Sequence, residues 1–189
     1  MLEEIVHLDK QLLVFLNGLG SEPFDGFWLI ITKQLHWTPV FLYVFYLLQK
    51  KVGWKHLLLI VLSIAALIAF TDQFTNLVKD NVQRLRPCND LEIKDVIRIV
   101  KCSDTFSYFS GHAANSMAST VFIFMIMKKY YKYAVLLFLF PLIFAYSRIY
   151  LGLHFPGDIL SGYLFGIIAG FGFSKLYEIF RRKYFPESL

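Results

Sequence analysis

From Leu57 to Phe70 the chain runs with only Ser63 to interrupt its hydrocarbon side chains, and shorter apolar runs of the same kind precede and follow it. A water-soluble fold would have to bury every one of these runs, whereas a bilayer lets each face lipid as a helix that satisfies its own backbone. With 57% hydrophobic residues in 189 and a mean hydropathy of +0.53, the chain lies well outside the balance of a soluble domain. The runs predict an all-α integral-membrane helical bundle of about five spans, at roughly 24–48, 54–78, 112–127, 133–150 and 156–180. Pro39 is expected to bend the first span and Pro141 lies within the fourth.

Ahead of the first span, residues 3–19 place Ile5, Leu8, Leu12, Phe15, Leu16 and Leu19 on one face, with Glu3, Glu4, Lys10 and Asn17 largely elsewhere. That pattern suits an N-terminal amphipathic helix lying in the membrane interface. Glu3 and Glu4 stand where a cleavable signal peptide would be basic, so the first span is expected to direct insertion itself. No linker, repeat or low-complexity tract divides the chain, and residues 1–189 read as a single domain.

Charge orients the bundle. Lys50, Lys51 and Lys55, then Lys128, Lys129 and Lys132, then Arg181, Arg182 and Lys183 fall on alternate connections, and the positive-inside rule makes that side cytoplasmic. The long 79–112 connection then faces outward. Its Cys88 and Cys102 are expected to form a disulfide if that compartment is oxidising. The net charge of +5 lies between apolar spans rather than along a groove, which points to anionic lipid head groups and away from nucleic acid.

The outward ends of the spans carry the chemistry. Asp72, Asn76, Lys79, Gln83 and Arg86 recur at three- and four-residue steps, which predicts one polar helix face. Lys79 and Arg86, two turns apart, would then present their cations together before Pro87 stops the helix. Asp72 falls inside a span, where a carboxylate is costly unless it faces protein or water. A buried structural pair is the plainer reading of it, a chemical role the sharper one. Ser110, Gly111 and His112 open the third span, so unpaired amides at a helix start and a glycine that allows close approach can hold phosphate oxygens. Arg148 adds a planar guanidinium, and His154 precedes the fifth span with Asp158 in its first turn. An imidazole oriented by a carboxylate, with cations and a second imidazole nearby, is what in-line attack on phosphorus requires. His112, His154 and Asp158 could also ligate a metal, but the cations around them would repel one, so no metal and no cofactor are expected. His7, His36 and His56 have no partner pattern and are assigned no function.

These segments resemble the type 2 phosphatidic acid phosphatase family, which shares its site with vanadium haloperoxidases and acid phosphatases. Lys79 through Arg86 and Pro87 match the family's Lys, six residues, Arg-Pro motif. Ser147, Arg148, His154 and Asp158 match its Ser-Arg, five residues, His, three residues, Asp motif. Phe109-Ser110-Gly111-His112 matches Pro-Ser-Gly-His apart from Phe109 in the proline's place. The motifs span 79–158. The resemblance implies a membrane lipid phosphatase in which His154 forms a phosphohistidine, Asp158 positions His154 and His112 protonates the leaving oxygen. Lys79, Arg86, Ser110, Gly111 and Arg148 would bind the phosphoryl oxygens. It also implies a lipid phosphate or diphosphate as substrate, with undecaprenyl diphosphate favoured, and a bacterial inner membrane with the site on the periplasmic or extracellular side. No obligate protein partner is evident. Transfer of the phosphoryl group to a lipid or sugar hydroxyl is the alternative chemistry, and a transporter the alternative class.

Overall fold

The computed structural model describes residues 2–185, and among them only helices and connections occur. Six α-helices make up the molecule: α1 (Leu2–Gly18), α2 (Asp25–Ile31), α3 (Thr38–Val82), α4 (Gly111–Met127), α5 (Leu139–Tyr150) and α6 (Pro156–Tyr184). The exterior is apolar. On α3, Leu58, Leu62 and Leu77 are 57–61% exposed, and on α6 Leu160, Leu164 and Ile168 are 63–65% exposed. A surface of this kind is stable against lipid chains and not against water.

The expected spans fall on these helices with three changes. The first is broken. Its segment ends α2 at Ile31, passes through a 3-10 turn at Gln34–Trp37 and restarts as the first arm of α3. Pro39 occupies the first turn of that arm, where its missing N–H is no loss, and so starts a helix instead of bending one. Second, α3 continues through Lys50 and Lys51 but breaks at Gly53, whose φ of +78° is open to glycine at little cost. Residues of both arms, Val44 and Leu48 before the break and Ile60 and Leu67 after it, join one apolar core. Third, the fourth segment begins as a 3-10 turn, Ala134–Phe138, and becomes α-helical only at Leu139.

The closest packing joins α4 to α6. A methyl group built on Gly162 would lie 2.6 Å from the Ser110 carbonyl oxygen, and one on Gly166 2.6 Å from that of Ala114. Gly170 meets the Ala118 carbonyl in the same way. The four-residue glycine step of one helix thus matches a four-residue step on the other, and the two backbones touch without side chains between them. This ladder lies inside the bundle. Around it, Leu48, Ile60 and Leu67 of α3 pack on Phe122 of α4 in the main apolar core.

Helix α1 is amphipathic as expected, except that Leu16 packs inward against the core instead of joining the outer face. Ile5, Leu8, Leu12, Phe15 and Leu19 point outward at 44–63% exposure, while Leu13 and Asn17 are fully buried against the rest of the molecule. Asn17 locks the helix in place: its amide donates to the carbonyls of Arg98, Ile149 and Tyr150 at 2.9–3.1 Å, and its carbonyl accepts from the Arg98 N–H at 2.7 Å. Lys10 ties the same helix to the long connection through Asp90 and Glu92 at 2.8 and 2.7 Å. That connection is further closed by a Cys88–Cys102 disulfide with a Cα separation of 5.7 Å.

At the other end the basic connections gather. Lys129 lies 3.6 Å from Glu178, Arg181 pairs with the same carboxylate at 2.9 Å, and the Tyr131 hydroxyl donates to the Leu47 carbonyl at 3.0 Å.

Candidate active site

His154 sits in the short connection between α5 and α6 and is 1% exposed. Pro156 opens α6, and Asp158, at the third position of the helix, accepts the Phe155 N–H at 3.0 Å as a reverse cap. The same carboxylate oxygen faces His154 Nδ1 at 3.4 Å and accepts from the Ser107 hydroxyl. On the other side of the ring, Arg86 Nη1 lies 3.1 Å from Nε2. A guanidinium can only donate and a carboxylate can only accept, so the two neighbours select one tautomer: proton on Nδ1, lone pair on Nε2. Burial pushes the His154 imidazole down to about 3, with Asp158 opposing and Arg86 and Arg148 reinforcing the shift. His154 is therefore a neutral imidazole hydrogen-bonded to an ionised Asp158 carboxylate, with its Nε2 lone pair turned towards Arg86.

Arg86 reaches this place by a route that helical spacing does not describe. Helix α3 ends at Val82, Gln83 turns left-handed at φ 51°, and Arg86 has extended backbone. Lys79 and Arg86 are thus not two turns of one helix, and the polar stripe stops at Lys79. Three oxygens fix the Arg86 guanidinium: the Thr105 carbonyl at 2.8 Å, the Thr105 hydroxyl at 2.8 Å and the Leu153 carbonyl at 2.9 Å. Arg148, 6% exposed, donates to the Thr32 hydroxyl at 2.7 Å and leaves its Nε without a partner. Among the described residues, Lys79, Arg86 and Arg148 have no carboxylate within ion-pair distance, while their charges are close enough to act on one another. Buried cations without a counter-charge are strongly unfavourable unless an anion joins them.

Ser110 and Gly111 close the site from α4. The fully buried Ser110 caps the helix, its hydroxyl accepting the Ala113 N–H at 3.3 Å, while its own N–H donates to the Asp158 carbonyl at 3.0 Å. Gly111 lets α3 approach, since a Cβ there would sit 3.2 Å from the Thr75 methyl. The first-turn amides of Gly111 and His112 have no intrahelical carbonyl to bond. His112 lines the same cavity as Lys79 and feels the charges of Arg148 and His154. Phe109, in the proline's place, is 5% exposed and packs on Phe165 at 5.3 Å and Phe74 at 6.4 Å, so aromatic burial holds the turn. All eight residues singled out in the sequence are brought to one end of the bundle.

Other contributors escaped the sequence reading. Arg84 donates to Asp158 Oδ1 at 2.7 Å and to Asp9 at 2.7 Å, with its guanidinium 3.7 Å above the Phe155 ring. Asp9, on the polar face of α1, accepts the Gly157 N–H at 2.7 Å. Only the place of Arg84 within the six-residue gap of the first motif could have flagged it. Asp72 also departs from expectation. It is exposed to the cavity instead of buried, and accepts from Asn115 Nδ2 at 2.6 Å.

Comparison with known proteins follows this geometry. A family model described as "PAP2 superfamily" matches residues 55–182. A lipid A 4'-phosphatase of Bacteroides thetaiotaomicron is 37% identical over 176 residues, covering 91% of this chain and 76% of that protein. A lipid A 4'-phosphatase of Porphyromonas gingivalis is 28% identical over 192 residues, covering 99% and 80%. Among solved structures, a transmembrane PAP2 type phosphatidylglycerolphosphate phosphatase from Bacillus subtilis superposes with a TM-score of 0.69 at 18% identity, covering 96% of this chain and 88% of that one. Aquifex aeolicus LpxE gives 0.55 at 23% identity, covering 87% and 93%. At those identities the two structures speak to the fold alone.

Proposed function

The chain belongs to the PAP2 superfamily and is a membrane lipid phosphatase; from that premise we propose that His154 is its nucleophile and that Lys79, Arg86 and Arg148 bind the phosphoryl group. The observation that carries this reading is three cations, without carboxylate partners among the described residues, gathered about two imidazoles, with Arg86 facing the Nε2 lone pair of His154. Nε2 attacks phosphorus in line, the P–O bond to the lipid breaks, and His112 gives its proton to the leaving oxygen. His112 then takes a proton from water as that water attacks the phosphohistidine, returning His154 and releasing phosphate. Asp158 holds the Nδ1 proton and stabilises the charge that develops on the ring. The cations, Ser110 and the amides at Gly111 neutralise the equatorial oxygens, which is the larger part of the work in phosphoryl transfer.

The substrate we favour is a sugar-linked lipid phosphate. The names of the two relatives support this over undecaprenyl diphosphate, which rests on no residue of the chain. Purified protein in detergent should release phosphate from lipid A, continue to do so in excess chelator, and be inhibited by vanadate. Loss of activity in chelator with recovery on adding zinc or magnesium would give the chemistry to a metal instead.

We place the protein in a bacterial inner membrane with its site on the periplasmic side. The gathering of Lys51, Lys129 and Arg181 at the opposite end supports this, as does the Cys88–Cys102 bridge beside the site. With both native cysteines replaced, a cysteine at Asn89 should react with an impermeant thiol reagent in intact cells, and one at Tyr131 only after lysis. The reverse pattern would put the site in the cytoplasm.

A further inference from the structure

The cavity does not end at the phosphate-binding cations. It continues inward between α3, α4 and α5 as a chamber of about 430 Å³, with Lys79, Gly111 and His112 at its mouth and Asp72, Thr75 and Asn115 deeper in its wall. Asp72 precedes Lys79 by two helical turns, so it lies about 10 Å further towards the middle of the bundle. A carboxylate at that depth is costly without polar company. Asn115 supplies part of it: its amide donates to Asp72 Oδ1 at 2.6 Å, and a bond between its carbonyl and the Thr71 hydroxyl fixes which way the amide points. Asp72 Oδ2 has no hydrogen-bond partner among the described residues.

Thr75 adds an independent sign. It is 2% exposed, yet its hydroxyl has no partner. One turn earlier, the Thr71 hydroxyl has three acceptors within reach of its single proton, the Asn115 carbonyl and the Leu67 and Ile68 carbonyls at 3.0 Å. A helical threonine has that option, and a buried hydroxyl left unpaired is unfavourable, so the unused group marks a place for a ligand. Below the polar wall the surface changes character. A second cavity of about 480 Å³ shares Phe41, Ser119 and Phe140 with the first and is otherwise bounded by side chains such as Val44, Ile123 and Leu137.

From the mouth inward, the molecule thus offers cations, then hydrogen-bond acceptors and a hydroxyl, then hydrocarbon. We propose that the middle layer is a sugar subsite, in which Asp72 and Thr75 bind hydroxyl or amide groups of the ring that carries the phosphate, with the acyl chains in the apolar cavity below. This rests on the phosphatase reading above and specifies which residues select its substrate. A polyprenyl diphosphate would bring no donors to Asp72, and its second phosphate would approach a carboxylate.

The test compares two lipids in detergent: lipid A, and dioleoyl phosphatidic acid, whose esterified glycerol offers no donor. Asp72→Ala should lower the ratio of kcat/KM for lipid A over phosphatidic acid about tenfold, the scale of a hydrogen bond to a charged group. The near-isosteric Thr75→Val should lower it about threefold, and keeps the test valid if the first variant fails to fold. Ratios equal to wild type in the folded variants, including equal losses on both lipids, would overturn the subsite while leaving the phosphatase intact. A wild-type protein that releases phosphate from neither lipid would overturn the phosphatase reading first.

Discussion

His154→Ala is expected to lower phosphate release from any lipid phosphate by at least about a thousandfold, the scale on which nucleophile removal acts, while leaving the protein inserted and folded. No second group can take its place. His112 is the other imidazole of the site, but it stands at the start of α4 with no carboxylate behind it among the described residues, and the remaining groups around the phosphate are cations, backbone amides and the Ser110 hydroxyl that caps α4. The fold should tolerate the change, because when the imidazole is gone Arg86 keeps three protein oxygens and Asp158 keeps Arg84, the Ser107 hydroxyl and the Phe155 N–H. Single-turnover assays with radiolabelled phosphate would also lose the acid-labile phosphoenzyme. A variant retaining a tenth of wild-type kcat would remove His154 from the mechanism.

Asp158→Asn is expected to lower kcat by two to four orders of magnitude and to lower the melting temperature as well, because exchanging the carboxylate behind a catalytic histidine disturbs both its tautomer and its packing. Every partner of Asp158 is a donor: Arg84 on one oxygen, and the Phe155 N–H, the Ser107 hydroxyl and His154 Nδ1 on the other. An amide must turn its NH2 towards one of these sets. Facing Arg84, it sets donor against donor and leaves the guanidinium with Asp9 as its remaining carboxylate partner. Facing His154, it favours the wrong tautomer. Arg84→Ala should be milder, about tenfold in kcat, because Arg84 is 22% exposed and its charge is partly screened. Arg84→Lys should recover part of that loss. An Asp158→Asn variant with more than half of wild-type kcat would show that the dyad has no such role.

Lipid is an uncompromising solvent, which is why the helical fold could be read from the chain. An apolar run has few alternatives there, and the segments ending at Met127 and Tyr150 end where their polar neighbours begin. The site was legible for a related reason. His154 and Asp158 lie on one short turn, and Ser110 to His112 on another, so sequence distance and spatial distance nearly coincide. Where they diverge, the reading failed. Gln83 carries no local mark of a left-handed residue, since glycine or asparagine is the usual occupant, so the helix was extended through Arg86. Pro39 did carry a mark, its preference for a first helical turn, and was read as a bend. Arg84 and Asp9 become a pair only when α1 folds across the ends of α5 and α6, a contact between residues 75 positions apart.

The seam between α4 and α6 has a mechanical consequence. His112 stands at the head of one helix and His154 just ahead of the other, and the glycine ladder presses those two helices together backbone on backbone. Side chains are the compliant material of a protein, and this joint contains almost none, so the pair acts as one stiff jig. The clearance between the two imidazoles is gauged by glycines buried in the seam. A single methyl at Gly166, about 12 Å down the shaft from Asp158, would act as a wedge whose opening is read at the two imidazoles.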